Sequence, residues 1–210
     1  MKRLDKVAKV KLLVFPACLL PFGLLANKAV HNGLGANPVS VITLSTGFWT
    51  LTFLMITLGI TPLRRVTGWI GLIRFRRMTG LFAFFYGFLH LMTFVWLDQY
   101  FDVRSMIHEV YKRPYITAGA TAFLLMAPLA LTSTRGWIRR LGGRRWNRLH
   151  KLVYASATAG VVHFWCLVKK DLTQPEIFAA ILAALLGARV LWWVAKRRAA
   201  HRPLAEVAAD

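Results

Sequence analysis

Short basic blocks divide the chain into six apolar runs, at about 10–29, 41–61, 78–97, 115–133, 148–168 and 176–195. Each is near the roughly twenty residues that an α-helix needs to cross about 30 Å of hydrocarbon. Open strands in lipid would leave backbone groups unpaired, so the runs predict an all-α membrane protein, a bundle of six transmembrane helices in a lipid bilayer. Composition agrees: 57% hydrophobic residues and a mean hydropathy of +0.49 are too apolar for an ordinary soluble fold of 210 residues. The first run carries Pro16 and Pro21 after a basic start, as a secretory signal peptide could. Its length, and the five runs behind it, favour a retained span.

A formal charge of +20 would fit nucleic acid if it lay on one face. It lies instead in blocks between the spans, which is the pattern of basic cytoplasmic loops and argues for no nucleic-acid partner. With the N-terminus inside, the segments "MKRLDKVAKVK", "PLRRVTGWIGLIRFRR", "TRGWIRRLGGRRWNRLHK" and "ARVLWWVAKRRAAHR" hold five, five, seven and five basic residues, 22 of the 28. Only Lys28, Arg104, Lys112, Arg113, Lys169 and Lys170 fall outside. The asymmetry predicts an N-in, C-in topology, with Trp137, Trp146, Trp192 and Trp193 in an interfacial belt.

Nothing remains outside the spans that could fold alone, so residues 1–210 read as a single transmembrane domain, and the tail "HRPLAEVAAD" is too small for another. No GxGxxG follows a strand and no Walker loop is present, so a nucleotide-derived donor and any substrate belong to partners. Cys18 and Cys166 form no CxxC or CxxCH pattern and read as packing residues within spans.

Histidines carry the remaining chemistry. His31 and His108 fall in outer loops and His201 in the tail, where solvated residues are expected. His90 and His163 lie deep in spans three and five, where an unpaired polar ring is costly. A single such histidine is as well explained by a hydrogen bond between helices. Two at similar depth, roughly 18 and 22 Å from the cytoplasmic ends, can instead take a flat iron macrocycle between them. Zinc would need further ligands, and spans three and five carry no embedded carboxylate. Haem is the better fit, in a pocket expected to involve Phe84, Phe85, Phe88 and Phe94. Proton relay in a proton-coupled transporter is the competing use of these histidines, and a non-redox membrane anchor is a third reading.

His150 stands thirteen residues before His163, about 20 Å nearer the cytoplasm. On an ideal helix the two rings point about 220° apart, unless overwinding at "ASATAG" realigns them. The position facing His150 on span three is Arg76, which suits a propionate or a phosphate better than iron. A second, cytoplasmic-side cofactor site at His150 and Arg76 is therefore expected, with arginines that only enforce topology as the alternative.

The stretches "RFRRMTGLFAFFYGFLH" and "NRLHKLVYASATAGVVHFW", with His90 in span three and His150 and His163 in span five, resemble the ferric reductase-like transmembrane domain. The resemblance covers essentially the whole chain. It is greatest to haem-binding membrane subunits of bacterial periplasmic methionine sulfoxide reductase systems. It implies b-type haem, FMN in some members, and electron delivery to a periplasmic molybdopterin-containing catalytic subunit. The quinone pool or a cytoplasmic flavin reductase would be the donor. Larger relatives carry two histidines in span three and a nicotinamide-binding domain; this chain has neither.

Overall fold

The computed structural model describes residues 6–200, so His201 and the tail "HRPLAEVAAD" lie outside the described residues, as does the start of the first basic segment. Among the described residues every regular element is helical: α1 (Lys6–Val30), α2 (Pro38–Thr67), α3 (Ile73–Met92), α4 (Val103–Lys112), α5 (Pro114–Leu131), α6 (Arg135–Leu149), α7 (Leu152–Leu167) and α8 (Thr173–Ala200). The outer end of α3 continues as a π-helical segment, Thr93–Asp98. Local signals set the boundaries. Asn37 caps α2 by accepting from Ser40 N at 3.1 Å, with Pro38 in the first turn. Gly68 closes that helix at φ 70°, a left-handed conformation that glycine adopts without a Cβ penalty.

Among the described residues five helices are long and apolar enough to cross a membrane: α1, α2, α3 with its π-helical extension, α5 and α8. At 16 residues α7 is shorter than the expected 148–168 run, because the chain turns at His150 and Lys151 before the helix begins. Two further helices occupy stretches expected to be loops. α4 starts where Asp102 accepts from Arg104 N and Ser105 N, and α6 is broken at Gly142, whose φ is 71°. His108 is thus an exposed residue of α4.

Packing is organised as two antiparallel hairpins, α2 with α3 and α5 with α7, the closest pairings in the molecule. Thr57 donates to Thr79 at 2.9 Å in the first, and Ser156 donates to the Ala122 carbonyl at 2.8 Å in the second. The run "ASATAG" works here as a small-residue packing face, not as an overwound segment: Ala157 and Ser156 are fully buried, and a Cβ on Gly160 would stand 3.0 Å from Leu51. α1 and α8 flank these hairpins. Pro21 cannot supply an N–H to α1. Beside it the buried Tyr86 hydroxyl from α3 accepts from Phe22 N at 3.1 Å and donates to the Cys18 carbonyl at 2.8 Å. Cys18 is buried there, whereas Cys166 faces outward from α7.

The bundle has two unlike ends. One carries the described chain ends, α6 and most of the arginines, and is called the basic end; the other carries α4 and is called the far end. Trp137 and Trp193 are exposed at the basic end under Arg140 and Arg197. Trp146 departs from the expected belt: its indole donates to the Thr132 carbonyl at 3.0 Å and its ring stacks on His150.

Candidate functional site

Each hairpin holds one deep histidine, and it holds it in the same way. His90 on α3 is bonded through Nδ1 to the Thr43 carbonyl of α2 at 2.9 Å. His163 on α7 is bonded through Nδ1 to the Tyr115 carbonyl of α5 at 2.6 Å. A carbonyl only accepts, so both Nδ1 atoms carry the proton and both Nε2 atoms keep a lone pair. Each ring also lies against a glycine of the partner helix. A Cβ on Gly47 would stand 3.0 Å from His90 Cε1, and one on Gly119 only 2.8 Å from His163 Nδ1. The partner helix thus supplies both the anchoring carbonyl and the space for the ring.

The two rings meet between the hairpins with centroids 6.0 Å apart and planes at 76°. Two metal–nitrogen bonds of about 2 Å along one axis would set imidazole centres roughly 6 Å apart, so the pair fits axial ligation of one metal ion. No cluster of three or more His, Cys, Asp or Glu residues occurs among the described residues, so the protein offers such an ion two ligands and leaves its equatorial positions to another group. A cavity of about 1260 Å³ opens beside the rings toward the far end, lined by Leu91, Phe94, Ile116, Phe123 and Leu167 among others. That volume exceeds the range typical of small-molecule pockets. A flat, apolar macrocycle bringing four in-plane nitrogens therefore fits both the donor set and the space.

Of the four phenylalanines expected here, only Phe94 lines the cavity. The π-helical segment shifts the register of the last turn of α3 and brings Phe94, Val95, Leu97 and Asp98 to the wall. Phe84 stacks on Phe123 at 5.4 Å behind it. Phe85 packs on Phe22 of α1, and Phe88 is exposed on the outer surface of α3. Sequence reasoning missed Phe123, Gly47 and Gly119, because nothing in a single sequence marks which small or aromatic residue lies opposite a ligand.

His150 is not on the helix of His163. It ends α6, with Nδ1 bonded to the Trp146 carbonyl at 3.1 Å and its ring stacked on Trp146 at 3.8 Å between centroids. The expected 220° offset along one helix therefore does not apply. Its Nε2 is buried and has no hydrogen-bond partner. The structure does bring Arg76 close enough to act on its charge. Arg76 is half-buried beside Tyr154 and Arg189. Arg189 of α8, counted from sequence only as a topology charge, donates to the Leu58 and Leu185 carbonyls and lies 5.4 Å over the Tyr154 ring. At the far end, the Tyr115 hydroxyl, followed by the Glu109 carboxylate, holds the Arg113 guanidinium above the ordinary arginine range.

Helices that bury two carbonyl-anchored imidazoles at one level, one from each of two hairpins, define a class of membrane protein built to hold a metal-centred group. Residues 43–161 match the family described as ferric reductase like transmembrane component. Three relatives are each described as protein-methionine-sulfoxide reductase heme-binding subunit MsrQ. That of Herminiimonas arsenicoxydans is 54% identical over 190 residues, covering 90% of this chain and 87% of the relative. That of Rhodospirillum rubrum is 47% identical over 203 residues, covering 97% of each, and that of Bordetella pertussis is 50% identical over 199 residues, covering 93% and 95%. The chain belongs to the MsrQ family of ferric reductase-like transmembrane proteins, and it is a multi-pass membrane protein.

Proposed function

We propose that this chain is the membrane cytochrome of a bacterial methionine sulfoxide reductase system. It crosses the inner membrane six times with both termini in the cytoplasm, α7 included. It relays electrons from the quinone pool or a flavin, at the basic end, to a periplasmic molybdopterin-containing subunit of the MsrP kind at the far end. It is the electron-transfer subunit and not the catalytic one. The observation that carries this reading is the histidine pair, with both Nδ1 atoms anchored on carbonyls and the ring centres 6.0 Å apart.

Haem b, held there, supplies a one-electron iron couple. The chain does the rest. His90 and His163 act as neutral donors through Nε2, and the Thr43 and Tyr115 carbonyls fix the tautomer, fix the ring orientation and raise the basicity of the donor nitrogen. The wall formed by Leu91, Phe94, Ile116 and Phe123 keeps water from the ligand bonds. At the basic end, His150 with its enclosed Nε2, and Arg76 beside it, form the second cofactor site, for another haem or for FMN. Arg76 is suited to the anionic groups of either cofactor and not to iron.

Purified protein in detergent tests the reading through its visible spectrum and its pyridine haemochromogen. A sharp reduced b-type spectrum, with one or two haems per chain, is the expected result. A colourless protein would sink it and leave a histidine-based transporter or a non-redox anchor.

A further inference from the structure

The cavity beside the histidine pair is apolar along most of its wall, and apart from the two histidines its ionisable lining at the far end includes Asp98 and Arg113, with Asn37 and Ser40 also in the wall. An iron macrocycle of the b type carries its two carboxylates on one edge. Those anions cannot be buried against Leu91, Phe94 or Phe123 without a large desolvation cost, so that edge must face the open end. The residues lining that opening include two acidic or basic side chains, and they are of opposite sign: Asp98 and Arg113.

Resting on the haem reading above, we propose that Arg113 anchors a macrocycle carboxylate and thereby sets the orientation of the group between His90 and His163. Arg113 ends α4 and begins α5, two residues before Tyr115. Its Nε lies 2.6 Å from Glu109 Oε2 and its Nη1 donates to the Tyr115 hydroxyl at 3.0 Å. The backbone carbonyl of that same Tyr115 holds His163 Nδ1. One short segment therefore fixes both an axial ligand and the cation at the mouth. A guanidinium has five N–H donors in a rigid fork, so Arg113 can keep Glu109 and Tyr115 and still reach a second carboxylate. Asp98 lines the same cavity and Glu109 is paired with Arg113, so both would repel that carboxylate were Arg113 absent.

Full-length protein made in haem-deficient cells and reconstituted in membranes separates this role from a merely structural one. The probes are haem b and its dimethyl ester, which has the same iron and ring but no carboxylates. Wild type is expected to prefer the free acid by roughly tenfold or more, the size of one charge-assisted pair. R113Q should lose most of that preference while its bis-histidine spectrum persists, and its haem midpoint potential should fall, since a positive charge near the iron is gone. R113K should keep part of the preference, and E109Q, which frees the guanidinium, should increase it. A preference unchanged in R113Q, or unchanged in both R113K and E109Q where R113Q does not accumulate, overturns the proposal while the haem reading stands. A wild type that takes up neither probe with a bis-histidine spectrum overturns both.

Discussion

The far end and the basic end each hold partly buried histidine, but they hold it differently. His90 and His163 are fixed by carbonyls on neighbouring helices, Thr43 and Tyr115, and each ring occupies the space left by a glycine. His150 is fixed by the preceding turn of its own helix and by stacking on Trp146, with the charge of Arg76 near enough to act on it. A ring anchored across a helix interface moves only if the interface moves, which gives two-sided ligation its rigidity. A ring anchored within one helix end can follow that end, which here lies past the break at Gly142. On the reading proposed above, the far end would suit a centre held from two sides and the basic end a ligand gripped by charge.

The sharpest way to break this contrast is to remove the ligands. His90→Ala or His163→Ala should abolish the far-end haem, since truncation leaves one axial bond and a void. His150→Ala should leave that centre's spectrum intact, so equal loss in all three variants, read from difference spectra, would erase the distinction.

Next in size is the glycine pair. Gly119→Ala places a methyl 2.8 Å from His163 Nδ1 and should break its bond to Tyr115, lowering haem occupancy by about tenfold or more, the usual scale for disturbing a ligand's support. Gly47→Ala, at 3.0 Å from His90 Cε1, should cost less. The reverse ranking, in haem per protein, would mean that the rings are not seated as described.

Smaller again is the basic end. Arg76→Ala and His150→Ala should slow reduction of the far-end haem by a cytoplasmic-side donor severalfold, without altering its spectrum. Wild-type rates with unchanged haem and flavin content in both variants would leave those residues a topological role alone.

The smallest effect separates frame from site. Tyr86→Phe strands the Phe22 N–H and the Cys18 carbonyl in the core, which should cost about 1–3 kcal/mol in stability with an unchanged haem spectrum. A spectral shift in that variant would tie α1 to the site.

Five of the spans and the nearness of His90 and His163 were legible because lipid imposes a length on a crossing helix, so depth can be counted from its end. The anchors were not, because the Thr43 and Tyr115 carbonyls are backbone atoms with no signature in sequence. α4 and α6 escaped because short helices rich in charge read as loops when only apolar runs are sought. His150 was counted into span five because Leu149 and Leu152 continue its apolar pattern, while the turn between them depends on Trp146 packing. Arg189 looked like one more topology charge, and only the fold places it over Tyr154 and against α2.

The central claim is that His90 and His163 are the two axial ligands of one iron, held in the orientation that their own hairpins impose. Low-temperature electron paramagnetic resonance of the oxidised protein tests it most directly. Ring planes at 76° predict the highly anisotropic, large-gmax low-spin signal of near-perpendicular imidazoles, lost in His90→Ala and His163→Ala and kept in His150→Ala. A rhombic low-spin signal typical of parallel rings, or a large-gmax signal surviving in either deep-histidine variant, would contradict it.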